Sequence, residues 1–109
     1  MKMVIAIVQD KDVGRLLQSV TREGLRATRL ASSGGFLRSG NTTLLIGVEE
    51  ERLEELLATI RETCHQREEM LTQVQSIMGP VDAQIPFPIE VPVGGATIFV
   101  LDVEQFIKV

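Results

Sequence analysis

Apolar residues occupy consecutive positions in the strand-like segments of this chain, and not only alternate ones. Residues 4–8 and 44–46 are continuous runs of this kind. Successive side chains of a strand point to opposite faces of its sheet, and a chain of 109 residues is too small to cover both faces itself. We therefore expect helices on one face and further copies of the chain on the other. The apolar residues that supply both faces are Val4, Ile5, Leu44, Leu45, Ile46, Ile98 and Val100.

Two segments between the strands have the spacing of amphipathic helices. The first follows Asp10 and Asp12, either of which can cap it, and it ends before Gly24, a residue suited to the left-handed position after a helix. Its apolar residues are Val13, Leu16, Leu17 and Val20. The second has negative charge in its first turn, at residues 49–51, which the helix dipole favours. Its apolar stripe is Leu53, Leu56, Leu57, Ile60 and Cys64.

The order of these elements predicts an α+β fold. The expected core strands are residues 4–8, 25–31, 41–48 and 96–101. Residues 102–109 are expected to add a last turn, with Val103 and Phe106, before a short edge strand. The order β-α-β-β-α-β is the ferredoxin-like arrangement, in which two helices cover one face of an antiparallel sheet. We expect residues 1–109 to form a single domain of this type.

A long segment after the second helix breaks the periodic pattern. All four prolines of the chain lie within residues 69–93, and proline excludes a regular helix or a central strand. Long irregular loops in compact domains usually carry function, so we expect this loop to be mobile without ligand and ordered with it. The alternative is a stiff flap that is packed permanently on the body or on a neighbour. The apolar residues that need somewhere to pack are Ile77, Met78, Ile85, Phe87, Ile89 and Val91.

The composition argues against several classes of function. One histidine, one cysteine, no tyrosine and no tryptophan provide neither a nucleophile with its base nor a metal cage, so we expect no enzyme activity, no metal and no cofactor. A net charge of -4 argues against nucleic acid as a partner. No apolar run approaches the roughly 20 residues of a membrane span, and the first ten residues resemble a strand more than a secretory signal. Together with Cys64 as a reduced core thiol, these features predict a cytoplasmic protein.

A glycine-rich turn between the second and third strands is the clearest candidate for a binding site. Residues 32–40 form a short loop, in which Gly35 and its neighbour let the backbone approach a ligand closely and Phe36 offers a ring for stacking. Strand alternation places Arg26 and Thr28 on one face, where they can act together. Further donors and acceptors come from Arg38, Asn41, Thr42 and Thr43. Paired glycines are also ordinary in hairpins, so spacing alone leaves a plain turn as the alternative.

Two long motifs resemble the PII-like cyclic-di-AMP receptor family. Residues 26–43 read Arg-Ala-Thr-Arg-Leu-Ala-x-x-Gly-Gly-Phe-Leu-Arg-x-Gly-Asn-Thr-Thr, and residues 93–101 read Val-Gly-Gly-Ala-Thr-Ile-Phe-Val-Leu. The resemblance runs nearly from end to end. It implies a homotrimeric signal-transduction protein that binds cyclic-di-AMP, one molecule per cleft between adjacent subunits. The short turn and the long proline-rich loop would close around the ligand, and an unidentified downstream protein would receive the signal.

The resemblance also implies roles for individual residues. Arg26 and Thr28 would reach an adenine edge or a phosphate, Asn41 would read adenine through its amide, and Gly47 would give a backbone contact. Phe99 would line the same pocket, although a core aromatic is an equal alternative. The full set of implied ligand-binding residues is Arg26, Ala27, Thr28, Gly35, Phe36, Leu37, Arg38, Asn41, Gly47 and Phe99.

The chain departs from the family pattern at two positions and leaves two other functions open. Gly24 stands where an asparagine is usual, and Lys108 stands where an amide is usual; both changes would weaken or reshape base contacts, unless Lys108 meets a phosphate instead. The first alternative is a PII-type regulator of ATP or ADP with 2-oxoglutarate, whose long loop would lie between strands two and three. The second is a ferredoxin-like trimeric scaffold, which leaves the glycine-rich turn unexplained.

Overall fold

Six strands and two helices follow one another in the part of the chain that the computed structural model describes, residues 1–30, 40–72 and 88–109. They are β1 (Lys2–Gln9), α1 (Asp10–Arg22), β2 (Ala27–Leu30), β3 (Asn41–Val48), α2 (Leu53–Cys64), β4 (Arg67–Thr72), β5 (Pro88–Val93) and β6 (Ala96–Asp102). A 3-10 turn at Glu50–Arg52 leads into α2. The predicted element order is therefore present, with one additional hairpin, β4 and β5, before the last strand.

Strands β1, β2, β3 and β6 form an antiparallel sheet in the order β2-β3-β1-β6. This small α+β fold, with two helices and an antiparallel sheet, is compatible with the predicted ferredoxin-like arrangement. Strand β3 has the predicted bounds, whereas β2 is shorter than the predicted residues 25–31. The register places Ile5 of β1 between Leu45 of β3 and Phe99 of β6.

Both helices pack on one face of this sheet and enclose the core. Most side chains of β1 and β3 that face the helices are buried. Most of the predicted stripes of α1 and α2, at three- and four-residue spacing, are buried too, whereas Leu17, Leu53 and Leu57 are half-buried. The buried core consists of Val4, Ala6, Val8, Val13, Leu16, Val20, Leu44, Ile46, Val48, Leu56, Ile60 and Cys64. The expectation that Cys64 packs as a small apolar residue is confirmed.

The residue predicted to end α1 is confirmed, whereas the residues predicted to cap its start are not. Gly24 has φ of +81° and its N–H donates to the carbonyl of Thr21, so it occupies the predicted left-handed position after the helix. At the other end the N-cap residue is Gln9, which makes no side-chain capping bond. The predicted capping role of Asp10 or Asp12 is wrong, because these carboxylates have other partners: Thr42 donates to Asp10, and arginines donate to Asp12.

The prediction of an irregular loop over residues 69–93 is wrong at both ends. Strands β4 and β5 pair in antiparallel fashion, with Glu68 opposite Pro92 and Thr72 opposite Pro88. Proline is tolerated here because each strand of a two-stranded ribbon has a free edge, where a missing N–H costs no ladder bond. The middle of the predicted loop, residues 73–87, lies outside the described residues.

The predicted last turn and edge strand after residue 102 are also wrong, since residues 103–109 form neither a helix nor a strand. Strand β1, the neighbour of β6, begins at Lys2 opposite Asp102. The N–H of Val103 instead donates to the carbonyl of Met1. Beyond it the chain is exposed.

Candidate functional site

The sheet face opposite the helices is lined by apolar side chains and is open in the single chain. Phe99 and Leu101 on β6 are 50% and 48% exposed, and Leu30 on β2 is 42% exposed. Ile5 and Leu45 in the middle of the sheet are half-buried. The expectation that apolar side chains occupy both faces is therefore confirmed. Exposed apolar side chains grouped on one face are typical of a surface that another molecule covers.

Three of the predicted ligand-binding residues, Thr28, Gly47 and Phe99, lie on this open face, with Thr28 and Phe99 on its two edge strands. Cross-strand pairing places Thr28, Leu45, Ile5 and Phe99 in one row across the sheet. Gly47 is in the adjacent row, two residues along β3 from Leu45. Phe99 therefore lies outside the core of the single chain, and its ring is free to contact a ligand or another copy.

Asn41 lies on the same face but near the opposite end of the sheet. It is six residues from Gly47 along β3, which at a rise of about 3.4 Å per residue separates them by roughly 20 Å. A single chain therefore cannot bring Asn41 and Gly47 to the same nucleobase. The predicted residues form two separate half-sites on each chain.

The half-site at Asn41 contains a cavity of about 280 Å³. Asn41 faces Gln9 across the strand pair, and the loop between β5 and β6 closes one side. The lining residues are Ile7, Gln9, Asn41, Gln66, Gly94, Gly95, Ala96 and Thr97. Sequence reasoning missed Gln9, Gln66 and Thr97. The pairing of β1 with β3 would have identified Gln9, because it is the cross-strand partner of Asn41.

The remaining predicted residues divide into three groups. Arg26 is exposed just before β2, where its guanidinium can reach an anionic ligand. Ala27 turns its side chain to the helix side and packs against the core, so only its backbone can contact a ligand. Gly35, Phe36, Leu37 and Arg38 lie outside the described residues.

The base of the hairpin is tied to α1 by a buried ion pair. The carboxylate of Asp12 is fully buried and accepts hydrogen bonds from Arg67 Nη2 at 2.8 Å and Arg15 Nη2 at 2.9 Å. Burial acts to raise the pKa of Asp12, but the hydrogen bonds from Arg67 and Arg15 outweigh it and hold this pKa below the usual carboxyl value. The charged form of Asp12 therefore fixes the first residue of β4.

Comparison with known proteins identifies the family. A family model described as "Cyclic-di-AMP receptor" matches residues 1–109, the whole chain. The chain belongs to the cyclic-di-AMP receptor family. It is also similar to a solved structure, the crystal structure of a functionally unknown protein from Pediococcus pentosaceus ATCC 25745. The two are 48% identical with a TM-score of 0.78, over 99% of this chain and 96% of the other.

Membership of the cyclic-di-AMP receptor family places the chain among binding proteins, not in an enzyme family. Burial raises the pKa of the Cys64 thiol to about 11, so the thiol is protonated at neutral pH and is a poor nucleophile. Among the described residues no three metal-ligating side chains lie together. In the same residues no helix has the length and apolar character needed to cross a membrane.

Proposed function

We propose that this chain binds cyclic-di-AMP at the interfaces of a homotrimer and signals to a downstream protein through rearrangement of residues 69–93. The observation that carries the proposal is the match of the whole chain to the cyclic-di-AMP receptor family. We further propose that residues 1–109 act as one domain in the cytoplasm and that the ligand is the only small molecule needed. The two half-sites and the open apolar face support an assembly of several copies.

A site shared between copies follows from the separation of the half-sites. The predicted residues are spread over the open face, with Asn41 at one end of β3, Gly47 near its other end, and Thr28 and Phe99 on the edge strands between these ends. Copies that meet through this face bring one end of one chain to the other end of its neighbour. A ligand with two bases and two phosphates can then contact both half-sites at once.

The described side chains suit an adenine dinucleotide. The ring of Phe99, half-exposed, can stack on a base, and the exposed guanidinium of Arg26 can pair with a phosphate. The amide of Asn41 matches the donor and acceptor of adenine but not those of guanine. These three contacts support cyclic-di-AMP over cyclic-di-GMP. The family match does not favour the PII-type ATP regulator or the scaffold.

Ligand-dependent thermal stability tests the proposed function directly. A ligand that binds only the folded state raises its stability by RT ln(1 + [L]/Kd). Scanning fluorimetry with cyclic-di-AMP, cyclic-di-GMP, ATP and AMP should give a concentration-dependent rise with cyclic-di-AMP alone. A rise with ATP and none with cyclic-di-AMP would support the PII-type regulator, and no rise with any ligand would support the scaffold.

Asn41→Ala should weaken cyclic-di-AMP binding by about 1–3 kcal/mol, because base groups that the amide satisfies are left unpaired. Isothermal titration calorimetry measures this as a fall in affinity. Gln18→Ala is the matched control, since Gln18 is an exposed carboxamide on α1, away from the open face. Equal affinities for wild type, Asn41→Ala and Gln18→Ala would show that Asn41 does not read the ligand.

The open face predicts a homotrimer, which light scattering after size-exclusion chromatography should record as three times the 12.0 kDa chain mass. Leu101→Asp should shift this mass toward the monomer, because burying an unpaired charge in an apolar interface costs several kcal/mol. Val100→Asp is the control: Val100 is 41% exposed, close to the 48% of Leu101, but it faces the helix side. A wild-type monomer at micromolar concentration would contradict the trimer.

A further inference from the structure

One side chain at the end of β1 holds the loop that joins the hairpin to β6. The N–H of Gly94 donates to Oε1 of Gln9 over 2.6 Å. Gly94 and Gly95 have φ of +83° and +92°, a region open mainly to glycine, so this loop is where the chain changes direction between the hairpin and the sheet. An amide N–H needs an acceptor, so the oxygen of the Gln9 carboxamide must face Gly94. The orientation of Gln9 is thereby fixed.

Gln9 also belongs to the cavity beside Asn41. The two residues are cross-strand partners, and both line the cavity of about 280 Å³. The carboxamide oxygen of Gln9 accepts from Gly94, so its NH2 group supplies the two N–H donors with which Gln9 can contact a ligand. That group suits a ligand acceptor, such as a ring nitrogen or a phosphate oxygen.

Two other sets of hydrogen bonds at the hairpin base, both between described residues, use no cavity side chain. The N–H of Gly95 donates to the carbonyl of Cys64, and Arg67 donates to Asp12 and to the carbonyl of His65. Among the residues that the structure describes, Gln9 is the one side chain that both lines the cavity and bonds to the loop. It is therefore placed to respond to a ligand and to act on the hairpin.

We propose that Gln9 is a positioning residue that couples occupancy of the Asn41 cavity to the position of the β4–β5 hairpin. The inference rests on the proposed function, because the occupant is cyclic-di-AMP. A ligand atom that accepts a hydrogen bond from the Gln9 NH2 group polarises the carboxamide and strengthens the bond from Gly94 to its oxygen. Ligand then favours the hairpin position in which that bond is made over positions in which it is broken.

Hydrogen exchange of the full chain tests the coupling, with and without cyclic-di-AMP at a concentration that calorimetry shows to saturate each variant. In the wild type, ligand should slow exchange of the amides at residues 93–96. Gln9→Leu removes the acceptor and both donors. Without ligand its amides should exchange about five- to tenfold faster, the effect of losing one hydrogen bond, and the ligand-dependent slowing should be lost.

Two further variants separate coupling from a general structural effect. Gln9→Glu keeps an acceptor for Gly94, and a charged one accepts more strongly, so without ligand its amides should exchange no faster than those of the wild type. Because it has no NH2 group, it should still lose the ligand-dependent slowing. Gln66→Leu is the control, because Gln66 lines the same cavity and, among the described residues, makes no hydrogen bond to the loop. It should retain the slowing.

Failure of this inference is distinguishable from failure of the proposed function. A wild-type chain that does not bind cyclic-di-AMP in calorimetry overturns both. A wild-type chain that binds, with unchanged exchange at residues 93–96, overturns the coupling alone. The coupling is also overturned if Gln9→Leu and Gln9→Glu keep the full ligand-dependent slowing at saturation.

Discussion

Asp12→Asn should lower the free energy of unfolding by about 2–4 kcal/mol at pH 7, since it removes the charge from a buried ion pair. The replacement has nearly the same shape, so packing is preserved. Arg67 is the important partner, because its side chain is only 20% exposed while that of Arg15 is 62% exposed and water can replace the carboxylate there. Urea denaturation at one fixed protein concentration measures the loss. Fixing the concentration matters because assembly contributes to apparent stability.

The same substitution makes the pH dependence testable. Hydrogen bonds from Arg67 and Arg15 overcome the effect of burial and hold the pKa of Asp12 below its usual value, so Asp12 binds protons more weakly in the folded chain than in the unfolded one. Its stabilisation is complete above the unfolded pKa of about 3.9 and is lost as the pH falls through the lower folded pKa. The difference in the free energy of unfolding between wild type and Asp12→Asn should therefore become smaller below about pH 4.

Asp10→Asn is the control for this pair of expectations. Asp10 lies in the same first turn of α1 but is exposed and accepts from a threonine hydroxyl, not from an arginine. Its replacement should cost less than about 1 kcal/mol. An Asp12→Asn effect no larger than that of Asp10→Asn, or a gap that is constant from pH 7 to pH 3, would contradict the role given to the buried carboxylate.

Gly94→Ala should destabilise the chain by about 3 kcal/mol or more. A Cβ at position 94 would overlap the backbone carbonyl of His65 and the guanidinium of Arg67. It would also sit at φ of +83°, where an alanine costs about 1–2 kcal/mol by itself. Because the carbonyl is backbone, the hairpin base must move to relieve the overlap, and that movement also disturbs the ion pair with Asp12.

Gly24→Ala separates the backbone cost of a positive φ from the steric overlap of the added Cβ. Gly24 has nearly the same φ, +81°, but a Cβ there meets nothing within 4 Å. Gly24→Ala should lower the free energy of unfolding only by the backbone cost of about 1–2 kcal/mol, measured by the same urea denaturation. Equal losses at positions 94 and 24 would show that the hairpin base does not lie as close to His65 as the structure places it.

The fold was predictable from sequence where periodicity and backbone chemistry act locally. The apolar stripes of both helices, the bounds of β3 and the left-handed position of Gly24 all follow from residue spacing and from the freedom of glycine. The hairpin was missed because two prolines in a short segment argue against a central strand, and nothing in the segment itself shows that its pairing partner is another edge strand. The capping carboxylates were misassigned because their true partners, Thr42 and Arg67, are distant in sequence.

The candidate site was also predictable from sequence only in part. The motif around Thr28 and Asn41 predicted two strands that the structure contains, and alternation placed Arg26 and Thr28 on one face. The separation of Asn41 from Gly47 follows from their spacing along β3, but the presence of Gln9 in the cavity depends on cross-strand register, which no single segment encodes. The side chains that form the Asn41 cavity come from β1, β3, β6 and the start of the hairpin, so only the assembled sheet shows them together.

The prolines of β5 also protect the chain from unwanted association. Pro88 and Pro92 have no N–H to donate to β4. The backbone N–H and C=O groups at the even-numbered positions of β5 therefore point away from β4. The outer edge of β5 then presents Pro88, Glu90 and Pro92, which leaves a single N–H donor on an acidic residue. Free strand edges with regular donors recruit other chains and initiate aggregation. This edge of the hairpin is therefore a poor template for intermolecular sheets.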